Sequence, residues 1–224
     1  MQAVILAAGK GTRMLPLTQS TPKPMLLVAS KPILERIVDA LPEEITEIII
    51  IVGYLSEQIE SHFGTSYKGR TIRYIQQAEP QGTYSALELA KPFITGTFLV
   101  LNADDMHGSE AFAEAITHPL VLLVARHEEP TKFGVVSQNA DGTLRGIIEK
   151  PESTLDTLVS TGAMVLDERI FEYNVEPAAN GERYLPKALE QLAADATVVV
   201  VEQSEWTPLG YPEDIAEAEK HLAE

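Results

Sequence analysis

The sequence predicts an α/β chain built on a doubly wound mixed sheet, parallel in its first half and more antiparallel in its second. Three observations carry that expectation. Up to about residue 105, short apolar runs alternate with amphipathic stretches, the pattern of strands joined by crossover helices. "ITEIIIIVG" at 45–53 carries a continuous apolar run, as in a parallel strand covered on both faces. After residue 118, strand-like segments follow one another with few helices between them.

Taken in order, Gln2–Ala7 reads as a buried first strand, followed by a loop rich in Gly and Pro to about Ser30. Ile33, Leu34, Ile37, Val38 and Leu41 recur at helical spacing, and Pro42 closes that helix. After the strand at 45–53, Leu55, Ile59 and Phe63 mark a second helix ended by Gly64. "RTIRYIQQ" at 70–77 is a third strand, "TYSALELAKPF" at 83–93 a helix, and "TFLVLNADD" at 97–105 a fourth strand. "PLVLLVARH", "KFGVVSQN", "TLRGIIEK" and "LVSTGAMVL" then read as strands, with a hairpin turn at Ala140-Asp141-Gly142. Helices near 182–194 and 213–222 flank a strand at 196–202. No repeat, low-complexity tract or linker interrupts the chain, so a single Rossmann-like domain over 1–224 is expected.

At 224 residues the chain is long enough to bury a sizeable core. Without cysteine it has no disulfide, thiolate metal site or cysteine nucleophile, and a cytoplasmic location is expected. Apolar runs such as Leu120–Ala125 fall far short of the ~20 residues of a membrane helix. The first strand is preceded by no basic segment, so a secretory signal is not expected. A net charge of −16 repels nucleic acid and anionic membranes, and neither is expected as a partner. The charge is unevenly spread. Residues 1–34 contain no Asp or Glu but carry Lys10, Arg13, Lys23 and Lys31, which points to a local site for a small anion.

Those cations coincide with glycines. In "LAAGKGTRM" at 6–14 the spacing is not that of a P-loop, and the dinucleotide fingerprint would need glycine where Met14 stands. Gly9 and Gly11 still let the backbone approach a phosphate and turn N–H groups towards it. Arg13 offers a fork of donors suited to phosphate oxygens, and Lys23 sits on a stiff support between Pro22 and Pro24. At the end of the fourth strand stand Asp104 and Asp105. Ligands in open α/β sheets bind beyond the carboxyl ends of strands, so a carboxylate here suits a Mg²⁺ shared with phosphates. A solvated turn or a helix cap accounts for such a pair equally well.

"LAAGKGTRMLPLTQSTPKPML" resembles the signature of the sugar-1-phosphate nucleotidyltransferases, the NDP-sugar pyrophosphorylases. The resemblance continues in order through "QAEPQGTYSAL", "LNADD", "EEPTKFGVVSQNADGTLRGIIEKPE", "STGAMVL" and "WTPLGYPEDI". It implies an enzyme that joins an NTP to a sugar 1-phosphate with Mg²⁺, releasing pyrophosphate. By that similarity Leu6, Ala8, Gly9, Gly11, Thr12 and Arg13 would wrap the nucleotide, with Arg13 on the β- and γ-phosphates. Gln77 and Gly82 would read the base, and Gln77 goes with UTP or dTTP. Lys23 would reach the phosphates during transfer, so Arg13, Lys23 and Asp104 form the catalytic set, with Asp104 holding Mg²⁺. Gly134, Glu149, Lys150 and Thr161 would line the sugar 1-phosphate pocket. A homo-oligomer stays open. Acetyl transfer, which bifunctional relatives perform with an appended repeat domain, is not expected.

The chain departs from the family pattern at three places. Pro208 stands where an Asp often supplies a second metal ligand, and Glu205 or Asp214 could replace it only with a backbone shift. Tyr84 stands where a small residue is common, in a stretch that also resembles choline-phosphate cytidylyltransferases. Lys187 replaces an Asp. A choline-phosphate substrate, or a catalytically silent nucleotide or NDP-sugar binding module, are the alternatives. Asp105 is expected to cap the following turn, Trp206 to pack beneath the C-terminal segment, and His62, His107, His118, His127 and His221 to be surface or structural.

Overall fold

The computed structural model describes residues 1–222. The strands are β1 (Gln2–Ala7), β2 (Leu27–Val28), β3 (Lys31–Pro32), β4 (Glu47–Val52), β5 (Ser66–Tyr67), β6 (Arg70–Gln76) and β7 (Phe98–Asn102). They continue with β8 (Asp105–His107), β9 (Val121–Arg126), β10 (Gly134–Gln138), β11 (Leu144–Glu149), β12 (Leu158–Leu166), β13 (Val199–Glu202) and β14 (Trp206–Pro208). The helices are α1 (Ile33–Ala40), α2 (Ser56–Phe63), α3 (Thr83–Glu88), α4 (Ser109–Ala115), α5 (Leu185–Asp195) and α6 (Pro212–His221).

One ten-stranded sheet runs β11-β10-β12-β7-β1-β4-β6-β5, with β9 against β12 and β13 against β9. The β7-β1-β4-β6 block is parallel, whereas β12 pairs antiparallel with β7, β9 and β10. The sheet is therefore parallel in its first half and mixed in its second, as the sequence predicts. Alternation along the central strands fills two cores. Ala3, Ile5 and Ala7 of β1 face one side with α1, α2, α4 and α6, while Val4 and Ala8 face the other with α3 and α5. The Ile run of β4 divides the same way, which is why it needs no polar positions.

Several elements differ from the sequence reading. The helix expected over 83–93 stops at Glu88, and a 3₁₀ turn covers Lys91–Phe93. Pro92 lacks an N–H and disfavours helical geometry at Lys91, so the α-helix cannot run through. α5 starts at Leu185, so Pro186 falls in its first turn, where the missing N–H has no intrahelical partner to lose. The strand expected at 196–202 covers only Val199–Glu202. Helix α4 and the β8–β14 pair carry no extended periodicity and were not legible as elements.

β1 lies between β4, which follows it in the chain, and β7, which lies on its other side. The chain thus reverses its winding at the β1/β7 edge. A crevice beyond the carboxyl ends of strands at such a switch point is where open α/β sheets hold ligands.

Candidate active site

That crevice is a cavity of about 490 Å³, lined by Leu6, Ala7, Ala8, Gly9, Gly11, Thr12, Arg13 and Met14 from the end of β1 and the loop after it. Lys23, Gln77, Gly82, Asn102, Asp104, Glu182, Tyr184 and Gly210 complete its walls. The structure brings every residue expected at the nucleotide, together with Lys23 and Asp104, into one hollow. A second hollow, about 330 Å³, lies between Asn139, Thr143 and Ala193–Val198, but Asp195 is its single ionisable side chain. Convergent charge singles out the first.

The loop owes its shape to Gly11, whose φ of +62° is left-handed. Its carbonyl accepts from Thr18 Oγ1 at 2.8 Å, and a Cβ there would lie 3.0 Å from Lys23 Cβ. Glycine at 11 therefore lets the lysine stem pass close beneath the loop. Lys23 is buried, and its ammonium donates to Asp104 Oδ2 at 2.9 Å. A buried ammonium needs a partner, and this carboxylate is the one provided. On the opposite wall Gly82 has a φ of +90°, and a Cβ there would collide with the Arg183 carbonyl. Arg183 N–H donates to Gln81 O at 2.9 Å and Tyr84 N–H to Arg183 O at 3.0 Å. The segment carrying Glu182 and Tyr184 is thus bound to the start of α3. These two wall residues went unread in the sequence, since no spacing in "GERYLPKAL" points to a ligand.

Asp105 does not cap a following turn. It accepts from Trp206 Nε1 and from Leu209 N–H, each at 3.2 Å, and so ties the C-terminal segment to the site. Burial of the carboxyl, reinforced by the neighbouring Asp104 charge, pushes its pKa up to about 8; Lys23 and the two donors oppose that rise. Pro208 pairs with Asp105 across the β8–β14 ladder and brings no oxygen-bearing side chain. Asp214 Oδ2 is taken by the Tyr211 N–H at 2.7 Å, and Glu205 packs against Gly108. Trp206 meets Phe133 at 5.2 Å and His127 at 6.0 Å between ring centroids.

The four residues expected at the sugar 1-phosphate are not part of this cavity's lining. Gly134 and Glu149 face each other in the β10–β11 register, and Lys150 follows with a left-handed φ of +42°. Both side chains, Glu149 and Lys150, stand in solvent, 3.9 Å apart. Thr161 departs from expectation. It is buried, donating to Leu123 O at 3.0 Å and accepting from Gln203 Nε2 at 2.8 Å, so its hydroxyl is spent in the core. Tyr84 is buried as well, donating its hydroxyl to Tyr173 O at 2.6 Å. Lys187 is exposed and pairs with Glu190 at 2.8 Å. His107 is structural: it contacts Gln203 through Nδ1 at 3.3 Å, and burial lowers its pKa to about 4.

A family model described as nucleotidyl transferase matches residues 2–224. The bifunctional protein GlmU of Methanococcus maripaludis is 35% identical over 99% of this chain and 54% of its own length. This chain therefore spans about half the length of such relatives. The UTP–glucose-1-phosphate uridylyltransferase AglF of Haloferax volcanii is 34% identical over 100% of this chain and 97% of itself. A crystal structure described as a glucose-1-phosphate thymidylyltransferase of Bacillus anthracis superposes with a TM-score of 0.90 at 26% identity, covering 99% of this chain and 94% of that one.

Proposed function

The chain belongs to the nucleotidyl transferase family, and we propose that it transfers a nucleotidyl group from an NTP to a sugar 1-phosphate, releasing pyrophosphate. UTP or dTTP is the favoured donor, and a hexose or N-acetylhexosamine 1-phosphate the acceptor, both drawn from the cytoplasm. The observation that carries this reading is the convergence of Arg13, Lys23, Gln77 and Asp104 on one cavity at the sheet's switch point.

In such a transfer a phosphate oxygen of the sugar attacks the α-phosphorus and pyrophosphate leaves opposite, so no protein nucleophile is required. The protein's part is positioning and charge neutralisation. Arg13 and the loop N–H groups hold the leaving phosphates. Lys23 exchanges Asp104 for the phosphoryl oxygens, where negative charge builds in the transition state. The Gln77 amide donates and accepts together, matching the N3–H and O4 edge of uracil or thymine. Glu149 accepts from sugar hydroxyls, and Lys150 and Gly134 border the acceptor's phosphate.

The donor set fits Mg²⁺. Asp104 is a hard oxygen ligand whose Oδ2 already neutralises one cation, the Lys23 ammonium. Among the described residues no group of three or more His, Cys, Asp or Glu side chains could hold a metal unaided. Asp104 would be the protein ligand, with phosphates and water completing the shell, as Mg²⁺ accepts. Bound there, the ion would neutralise phosphate charge. Tyr84 is turned into the core, which disfavours an aromatic wall for a choline headgroup at that position.

Pyrophosphate release tests the reading, with UTP, dTTP or GTP, and glucose or N-acetylglucosamine 1-phosphate, in Mg²⁺ or in chelator. Turnover with UTP or dTTP that stops in chelator is expected. GTP turnover as high or higher would overturn the base assignment. No release from any pair would leave a nucleotide-binding module.

A further inference from the structure

The segment from Glu205 to Tyr211 forms a strap along one side of the cavity. It is fixed at three points before it reaches Arg13. Gly108 N–H donates to Glu205 O at 2.7 Å, β14 pairs with β8, and Asp105 accepts from Trp206 and Leu209. Gly210 then lines the cavity, and Tyr211 opens α6 with its N–H on Asp214 Oδ2. The Tyr211 backbone is thereby held from both sides, although 42% of the residue is exposed.

The Arg13 guanidinium lies over the Tyr211 ring, 5.6 Å from its centroid. A Cβ placed on Gly210 would lie 3.8 Å from Arg13 Nη1 and 3.6 Å from Asp214 Oδ2, so the cation and the carboxylate flank the same point. In a chain of −16 net charge, a loosely held arginine beside an aspartate is prone to pair with it. Two features keep them apart. Asp214 is engaged as the helix cap, and the ring face offers the guanidinium an uncharged surface that leaves its N–H fork free.

We propose that Tyr211 is a positioning residue: its ring holds Arg13 at the cavity wall, away from Asp214, and so couples the C-terminal strap to the nucleotide loop. The proposal rests on the reading of Arg13 as a phosphate donor. It also gives the strap a link to the site that does not depend on a carboxylate at position 208.

The test is a double-mutant cycle of Arg13→Ala, Tyr211→Ala and the pair, with Tyr211→Phe as the conservative control. UTP binding by calorimetry and the KM and kcat for UTP are measured, and thermal melts exclude variants that unfold. Tyr211→Ala is expected to weaken UTP binding and raise KM roughly two- to fivefold, with a smaller change in kcat, as suits loss of an exposed cation–π contact. Tyr211→Phe keeps the ring and restores most of the loss. In the Arg13→Ala background, Tyr211→Ala adds nothing. Additive losses, or Tyr211→Phe as impaired as Tyr211→Ala, would overturn the inference alone. Arg13→Ala without effect, or no UTP binding by the unaltered protein, would overturn the reading of the site and the inference together.

Discussion

Replacing Lys23 with alanine should move two measurements in opposite directions. The lysine is buried and its ammonium sits 2.9 Å from Asp104 Oδ2, while the Asp104 side chain keeps 35% of its exposure. The bare Coulomb term at that distance, with an effective dielectric near 20, is about 6 kcal/mol. Desolvation and the open side of Asp104 reduce what the pair contributes to roughly 1–3 kcal/mol, between exposed and buried limits. Without Lys23, Asp104 no longer surrenders that interaction to accept a metal. Mg²⁺ titrated into nucleotide-free protein should therefore bind roughly 5- to 150-fold more tightly to Lys23→Ala than to the unaltered protein. Turnover should fall by ~10²–10³, the cost of removing one donor aimed at transition-state charge. Calorimetry reads the first effect and pyrophosphate release the second, and Asp104→Ala should erase the gain in metal binding. Unchanged metal affinity together with a rise in KM alone would refute the argument, leaving Lys23 as a ground-state binding residue.

Gln77→Glu exchanges an amide that donates and accepts for a carboxylate that only accepts, so kcat/KM for UTP should fall roughly ten- to hundredfold relative to GTP. Equal losses for both nucleotides would remove Gln77 from base reading. Tyr84→Phe leaves the Ile170 and Tyr173 carbonyls without their donor and should cost about 1–3 kcal/mol of stability in denaturant melts, with KM values unchanged. An altered acceptor preference would put Tyr84 back at the substrate. His107 is held neutral, its pKa lowered by burial from 6.5 to about 4. The unfolded chain thus takes up a proton that the folded chain refuses, and stability should decline as pH falls from 6.5 to 4, by roughly 3 kcal/mol in all. Melts across that range should lose this slope in His107→Gln, and persistence of the slope would assign it to other groups.

The fold was legible where burial dictates sequence. β1, α1, β4, α2 and β6 were readable because two cores demand continuous or 3.6-periodic apolar positions there. The loop after β1 was readable for a different reason: its left-handed turn and the close pass of Lys23 require glycine at 11, and Arg13 and Lys23 stand out in an acidic chain. The misread positions share a third property, contacts distant in sequence that leave no local mark. Thr161 was expected at the acceptor's phosphate by resemblance, yet it lies within β12 with its hydroxyl committed to Leu123 and Gln203. Tyr84, noted only as a large residue where a small one is common, bonds carbonyls 86 and 89 residues away. Asp105 has the form of a local cap, whereas its partners lie 101 and 104 residues on.

The departure at Pro208 becomes intelligible through charge. Beyond the end of β7 stand Asp104 and Asp105, and Lys23 is paired with Asp104. The Lys23 ammonium balances Asp104. Burial, and then the neighbouring Asp104 charge, push the Asp105 carboxyl well above the usual carboxylate range. The register sets residue 208 directly opposite Asp105. An aspartate there would set another carboxylate against the buried Asp105, and like charges so close disfavour ionisation of both. Proline brings no such charge, and the β8–β14 ladder with the two Asp105 hydrogen bonds holds the strap in its place. Were Asp104 to hold Mg²⁺ together with the nucleotide's phosphates, as proposed above, Lys23 would leave that carboxylate and be free to meet a phosphate.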